Sequence, residues 1–133
     1  MIGAAPRLVA LGTAVPPFAI GQLDARAFAR RQFASLPGID RLLGAFENTG
    51  IVRRHLVQPL AWYEQPRSFV EKNTLYIRGA LGLAQQACER ALASCARDQL
   101  GAIVFVSSTG IATPSLDSHL VQLLDLPRSI ARV

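Results

Sequence analysis

The sequence predicts an α/β chain, a layered fold whose sheet is incomplete within its 133 residues. Three observations point there. Residues 102–106 read AIVFV, apolar at every position, as a parallel strand covered by helices on both faces would be. Ser68-Phe69-Val70-Glu71 is a capping box, and small or apolar residues then recur at helical spacing through Tyr76, Ala84, Cys88, Ala91 and Cys95. Strand-like and helix-like runs alternate along the whole chain, which is the order of α/β layers.

Taken from the start, Arg7 to Thr13 (RLVALGT) is a short β-type run closed by a turn at Pro16-Pro17. Asp24 can cap a helix reaching Phe33, with Phe28 and Ala29 inward, and Pro37-Gly38 breaks it. A second short helix is expected from about Asp40 to Asn48, with Gly50 just past its end. Residues 51–57 (IVRRHLV) are compatible with a strand. The long helix that opens at Ser68 should stop before Gly101. After the 102–106 strand comes the polar stretch Ser107-Ser108-Thr109-Gly110-Ile111-Ala112. Thr113 suits an N-cap and Pro114 the first helical position, so a helix should run from there to about Leu124. Its apolar stripe is Leu116, Leu120, Leu123 and Leu124. Residues 129–133 begin another strand.

Composition narrows the function classes. Half of the residues are hydrophobic and 17% are charged, too apolar for a disordered tail. No apolar run approaches the roughly 18 residues of a membrane helix, and no secretory leader opens the chain, so a cytoplasmic address is expected. The net charge is +5, and 13 of the 14 basic residues are arginines. They are scattered, adjacent only at Arg30-Arg31 and Arg53-Arg54, which argues against nucleic acid and suits small anions such as phosphates. Cys88 and Cys95, seven residues apart, would lie roughly 10 Å apart on one helix face, too far for a disulfide. His55 and His119 are isolated, and no metal-ligand spacing appears.

A buried parallel strand needs neighbours on both sides. Roughly three strands and one long helix cannot cover both faces of a parallel sheet. The chain is therefore expected to be a piece of a larger domain and to self-associate through exposed apolar surface. The alternative is a small complete domain with a short final strand.

Particular stretches carry a family likeness. Gly50-Ile51-Val52-Arg53-Arg54-His55, then PLAWY at 59–63, PRSFVEKN at 66–73 and Tyr76, resemble the bacterial type III polyketide synthases, relatives of the plant chalcone and stilbene synthases. IVFVSSTGIATPSLD at 103–117, LDLPRSIARV at 124–133 and ALGTAVP at 10–16 are similar to that family in the same order. The resemblance implies the N-terminal part, residues 1–133, of a thiolase-like αβαβα fold, ending before the nucleophile. It implies a homodimer and an acyl transfer. A cysteine thiolate takes an acyl group from a starter coenzyme A ester, and decarboxylated malonyl-CoA attacks the thioester. CoA esters are substrates there, and no further cofactor is implied. The family's cysteine, in a Gly-Cys step, and its histidine and asparagine would all lie beyond Val133. Cys88 and Cys95 do not match the cysteine, and this chain alone is expected to be inactive.

The same resemblance assigns site residues. Ser108, Thr109 and Thr113 match cavity positions. Thr113 stands where plant members carry a larger Met and where the loop reaches the partner subunit, so the dimer is expected to form through the Ser107 to Pro114 region. A smaller residue there suits a long acyl starter. Thr113 as a helix cap, and Ser108 and Thr109 as partners of loop amides, are the competing roles. Arg41 matches one basic residue of the family's CoA phosphate clamp, while Gly44 and Asn48 depart from it. Arg53 and Arg54 could assist, although a strand sends only one of them to a given side. Trp62, Tyr63 and Phe69 are expected to serve packing, and Glu71, Lys72 and Asn73 no further purpose. Two other functions stay open. One is another thiolase-superfamily condensing enzyme, such as a ketoacyl synthase III. The other is a non-catalytic dimerisation or regulatory fragment.

Overall fold

The computed structural model describes residues 7–133. They form two compact units, one of residues 7–14 with Phe69–Val133 and the other of Val15–Ser68.

The Val15–Ser68 unit is built on an antiparallel pair, β1 (Phe18–Gly21) and β2 (Arg53–Leu56), with Phe18 opposite Leu56 and Gly21 opposite Arg53. β2 lies within the strand expected over 51–57, whereas β1 follows Pro16-Pro17, where only a turn was expected. Three helices lie between the strands: α1 (Gln22–Gln32), α2 (Ile39–Leu43) and α3 (Ala45–Asn48). Asp24 sits in the first turn of α1 and Gly21 takes the cap position, so Asp24 meets the helix dipole without capping it. Ala25 and Ala29 face inward, and Leu43 is fully buried. The helix expected over 40–48 is broken at Gly44, and Gly50 turns out of α3 with φ of 65°. A four-residue helix, α4 (Leu60–Tyr63), stacks Trp62 edge-on against Tyr63.

The other unit rests on α5 (Phe69–Ala91), which starts at the residue after Ser68. It is shorter than its periodicity promised. Two 3₁₀ turns, Leu92–Ser94 and Arg97–Gln99, replace its last turns and lift Cys95 off the helix. Both cysteines are free. The chain then runs through β3 (Ala102–Ile103), α6 (Leu116–Leu123) and β4 (Ala131–Arg132). β3 and β4 pair in parallel, and Phe105 and Val133 extend the ladder through Phe105 N–H to Val133 O at 2.8 Å. This is the strand–helix–strand order that parallel pairing requires.

The core forms where α6 lies on α5. Leu116, Leu120 and Leu124, four apart on one face, are each no more than 2% exposed. Leu120 and Leu124, with Leu126 and Ile130, pack against Leu81, Ala84 and Cys88 of α5 and against Ile103 and Phe105. Leu123, expected in that stripe, is instead 48% exposed, at the edge of the face that Leu116, Leu120 and Leu124 bury. A Schellman turn ends the helix. Asp125 takes φ of 49°, its N–H reaches Gln122 O, and Leu126 N–H reaches Val121 O. Arg97 Nη1 donates to Leu124 O at 2.6 Å and satisfies another terminal carbonyl.

Two expectations about strands fail. Residues 102–106 alternate between half-buried and exposed, with Val104 and Val106 largely in water, so the strand is covered on one face only. No described element covers the other. The 7–13 run forms no strand, because it has no ladder partner among the described residues. Leu8, Val9 and Leu11 are exposed, and the segment is held at Gly12 and Thr13. A Cβ on Gly12 would lie 2.0 Å from Ala87 O, so only glycine allows this approach to α5. Arg90 donates to Thr13 O beside it. No described helix is long and apolar enough to cross a membrane.

Leu120→Ala should cost about 2–5 kcal/mol of unfolding free energy in urea titration, from lost burial and a residual cavity. Leu123→Ala, on the exposed side of the same helix, should change it by less than about 0.5 kcal/mol.

Candidate functional site

The 107–115 segment contains no helix or strand and is exposed except for half-buried Ala112. Its course is set from α5. Asn73 and Tyr76 lie three apart and share a face of that helix. The Asn73 amide can donate and accept together. Nδ2 donates to Ile111 O at 2.8 Å, and Ile111 N–H donates to Oδ1 at 2.8 Å. One side chain thus closes both backbone groups of one loop residue, as a rung of a sheet would.

Tyr76 holds the preceding residues. Its hydroxyl lies 2.6 Å from Ser107 Oγ. Ser107 Oγ donates to Thr109 O at 3.1 Å and accepts from Thr109 N–H at 3.3 Å. Since that serine proton is committed to a carbonyl, Tyr76 is the donor. The Tyr76 ring also lies under Gly110. A Cβ there would meet Cδ1 at 2.1 Å, and φ is 70°, so glycine is required twice over.

The three cavity residues of the sequence argument are on this segment. Ser108, Thr109 and Thr113 are all exposed. Their hydroxyls make no hydrogen bond among the described residues, whereas that of Ser107 makes several. The task of satisfying loop amides, the competing role for Ser108 and Thr109, is taken by Ser107 and Asn73. Thr113 does not cap α6: the helix begins two residues later than expected, and Ser115 occupies the N-cap position without a side-chain cap hydrogen bond. Ser118 Oγ donates to Ser115 O at 2.7 Å in that first turn. Asp117, 8% exposed, lies 3.4 Å from Arg132 Nη1 and joins the start of α6 to β4. Asn73, expected from the sequence to serve no further purpose, is the residue that holds Ile111. The available signal was an amide side chain three positions before a tyrosine on a helix that also faces a glycine-containing loop.

The proposed anion-binding arginines belong to the Val15–Ser68 unit, which holds seven arginines and four acidic residues. Three arginines are paired across its surface: Arg26 with Glu47, Arg30 with Asp40, and Arg31 with Glu64. Arg54, half-buried, gives Nε to Gln22 Oε1 at 2.9 Å and lies over the Phe46 ring at 5.1 Å. Gln22 is held in turn by Phe46 O and Thr49 Oγ1. Arg67 lies over Trp62. Arg41 and Arg53 remain exposed, with no ion pair or hydrogen bond from their side chains among the described residues. Register explains the contrast of Arg53 with Arg54: neighbours on β2 point to opposite sides.

The described residues contain no group of three His, Cys, Asp or Glu able to hold a metal ion. His55 Nδ1 sits 3.1 Å from Pro16 O, a structural contact in its own unit. Burial, aided by the Glu89 carboxylate, pushes the Cys88 thiol above its ordinary pKa, the opposite of an activated nucleophile.

No family model matches the chain. Individual proteins do. It is 36% identical over 125 residues to a putative chalcone synthase of Bacillus subtilis, covering 88% of this chain and 34% of that protein. It is 32% identical over 109 residues to the 1,3,6,8-tetrahydroxynaphthalene synthase of Streptomyces coelicolor, 80% of this chain and 29% of that one. The crystal structure of the Streptomyces coelicolor enzyme, described as a bacterial type III polyketide synthase, superposes with a TM-score of 0.78 at 28% identity. The match covers 94% of this chain and 37% of that structure. The structure of CsyB complexed with CoA-SH gives 0.76 at 28% identity, 94% of this chain and 35% of the other. The chain spans about a third of the length of these relatives.

Gly110→Ala should lower stability by about 1–3 kcal/mol in urea unfolding, through positive-φ strain and collision with Tyr76. Gly101→Ala, where nothing lies within 4 Å of the new methyl, should stay within about 0.5 kcal/mol. Cys88 should alkylate with iodoacetamide at pH 8 several-fold more slowly in the folded chain than in urea, since folding disfavours its thiolate.

Proposed function

This chain is related to the type III polyketide synthases in sequence and in fold, and we propose that it forms the N-terminal part of such an enzyme, supplying cavity wall and CoA contacts to a condensation site. The observation that carries this is the 107–111 segment, held at the main chain of Thr109 and Ile111 while the exposed hydroxyls of Ser108, Thr109 and nearby Thr113 have no partner among the described residues. Main-chain order with free side chains is what a wall that meets a substrate needs.

The chemistry follows from the family. A cysteine thiolate, on residues beyond Val133, attacks the thioester of a starter acyl-CoA and releases CoA. Malonyl-CoA then loses carbon dioxide, and its α-carbon attacks the acyl-enzyme carbonyl. A new carbon–carbon bond forms and the thiolate leaves. Within this scheme Arg41 and Arg53 are the arginines available to CoA phosphates, since the other arginines of their unit already have partners. The bound CoA-SH of the CsyB structure supports CoA as the ligand class. Arg54 contributes by holding Gln22 and the strand beside Arg53. Thr113 is the residue at the far end of the cavity, close to the partner of a homodimer formed through the 107–114 region. A threonine there leaves room for a long acyl chain.

Incubated alone with decanoyl-CoA and malonyl-CoA, residues 1–133 should give no condensation product, because neither Cys88 nor Cys95 matches the family's nucleophile; any pyrone or resorcinol by mass spectrometry would reject that assignment. Placed in the Bacillus subtilis relative in exchange for the matching segment, it should support condensation. Thr113→Phe in that hybrid should then cost long starters roughly tenfold or more in kcat/KM relative to short ones. An unchanged chain-length preference would reject Thr113 as a cavity residue.

A further inference from the structure

The 107–114 segment has a property that the proposed function does not require. Among the described residues, no backbone–backbone hydrogen bond involves residues 106–114. An exposed segment without such bonds opens readily. All its hydrogen bonds come from side chains: the Asn73 amide on Ile111, the Tyr76 hydroxyl on Ser107, and Ser107 on Thr109. The Tyr76 ring fills the space under Gly110.

We infer that Asn73 and Tyr76 are positioning residues, which fix the path of the 107–111 segment and thereby where the hydroxyls of Ser108, Thr109 and Thr113 are presented to an acyl-CoA. The path follows from geometry alone. The acyl-CoA rests on the proposed function. Division of labour between the two side chains is definite. Asn73 acts on one residue and needs both ends of its amide. Tyr76 acts at two points, by its hydroxyl through Ser107 and by its ring beneath Gly110. Neither side chain need touch the ligand.

Amide exchange measured by NMR on the whole chain tests this. In Asn73→Ala the Ile111 amide should exchange roughly five- to tenfold faster, the loss of one ordinary hydrogen bond, while Leu120 and Leu124 amides stay within about twofold of wild type. Asn73→Asp keeps an acceptor for Ile111 N–H and should restore Ile111 protection. Tyr76→Phe removes only the hydroxyl and should speed Thr109 while leaving Ile111 protected. Unchanged Ile111 exchange in Asn73→Ala would overturn the inference. So would equal acceleration of the core amides, which would make Asn73 a support of the whole fold. Titration with decanoyl-CoA provides the second arm. The wild-type resonances of Ser108, Thr109 and Thr113 should shift, and Asn73→Ala should weaken that response several-fold. Equal responses in the two would overturn the positioning role. No shift in wild type would remove the proposed function, with the exchange result still deciding whether the clamp sets the path.

Discussion

Close contact between one leucine stripe and one small-residue helix face is the constraint on which the Phe69–Val133 region depends. Leu120 and Leu124 belong to a core that meets α5 at Leu81, Ala84 and Cys88, where the short side chains of Ala84 and Cys88 allow α6 to approach. That contact places β3 and β4, since Leu126 and Ile130 enter the same core immediately before β4, and Ile103 and Phe105 border it from β3. Both the Schellman turn at Asp125 and the Arg97 bond to Leu124 O serve to end α6 at the point where its stripe runs out. With α5 fixed this way, its first turns become a stable edge from which Asn73 and Tyr76 can act.

How much of this was legible in the sequence depended on how local its cause was. α5 was legible because a capping box and a 3.6-residue period are local signals. So was the stripe of Leu116, Leu120 and Leu124. The stop at Gly50 was legible as a glycine just past a helix end, whereas the break at Gly44, inside the helix expected over 40–48, was not. What failed depended on distant neighbours. AIVFV carries the composition of a fully covered strand, yet coverage is a property of whatever lies on the other face. RLVALGT has strand propensity but no described ladder partner. Conversely β1, with its proline-rich approach, exists because β2 pairs with it.

The candidate site divides in the same manner. Ser108, Thr109 and Thr113 were found through likeness to a family, and only the fold shows that their hydroxyls have no partner among the described residues. Asn73 was overlooked because its significance lies 38 residues away, at Ile111. Arg41, Arg53 and Arg54 look equivalent as letters. Pairing across the surface separates them, leaving Arg41 and Arg53 without a counter-charge among the described residues and committing Arg54 to Gln22 and Phe46. An exposed pair contributes little to stability, about 0–1 kcal/mol, but it does determine which guanidinium groups are already occupied.

The grip of Asn73 falls on the main chain of Ile111 and leaves that residue's side chain alone. Mutational drift at positions 108, 111 and 113 can therefore alter bulk, polarity and reach without rerouting the segment that bears them. A lineage carrying this arrangement can sample new surface chemistries one codon at a time, because the scaffold and the variable lettering are inherited through separate residues.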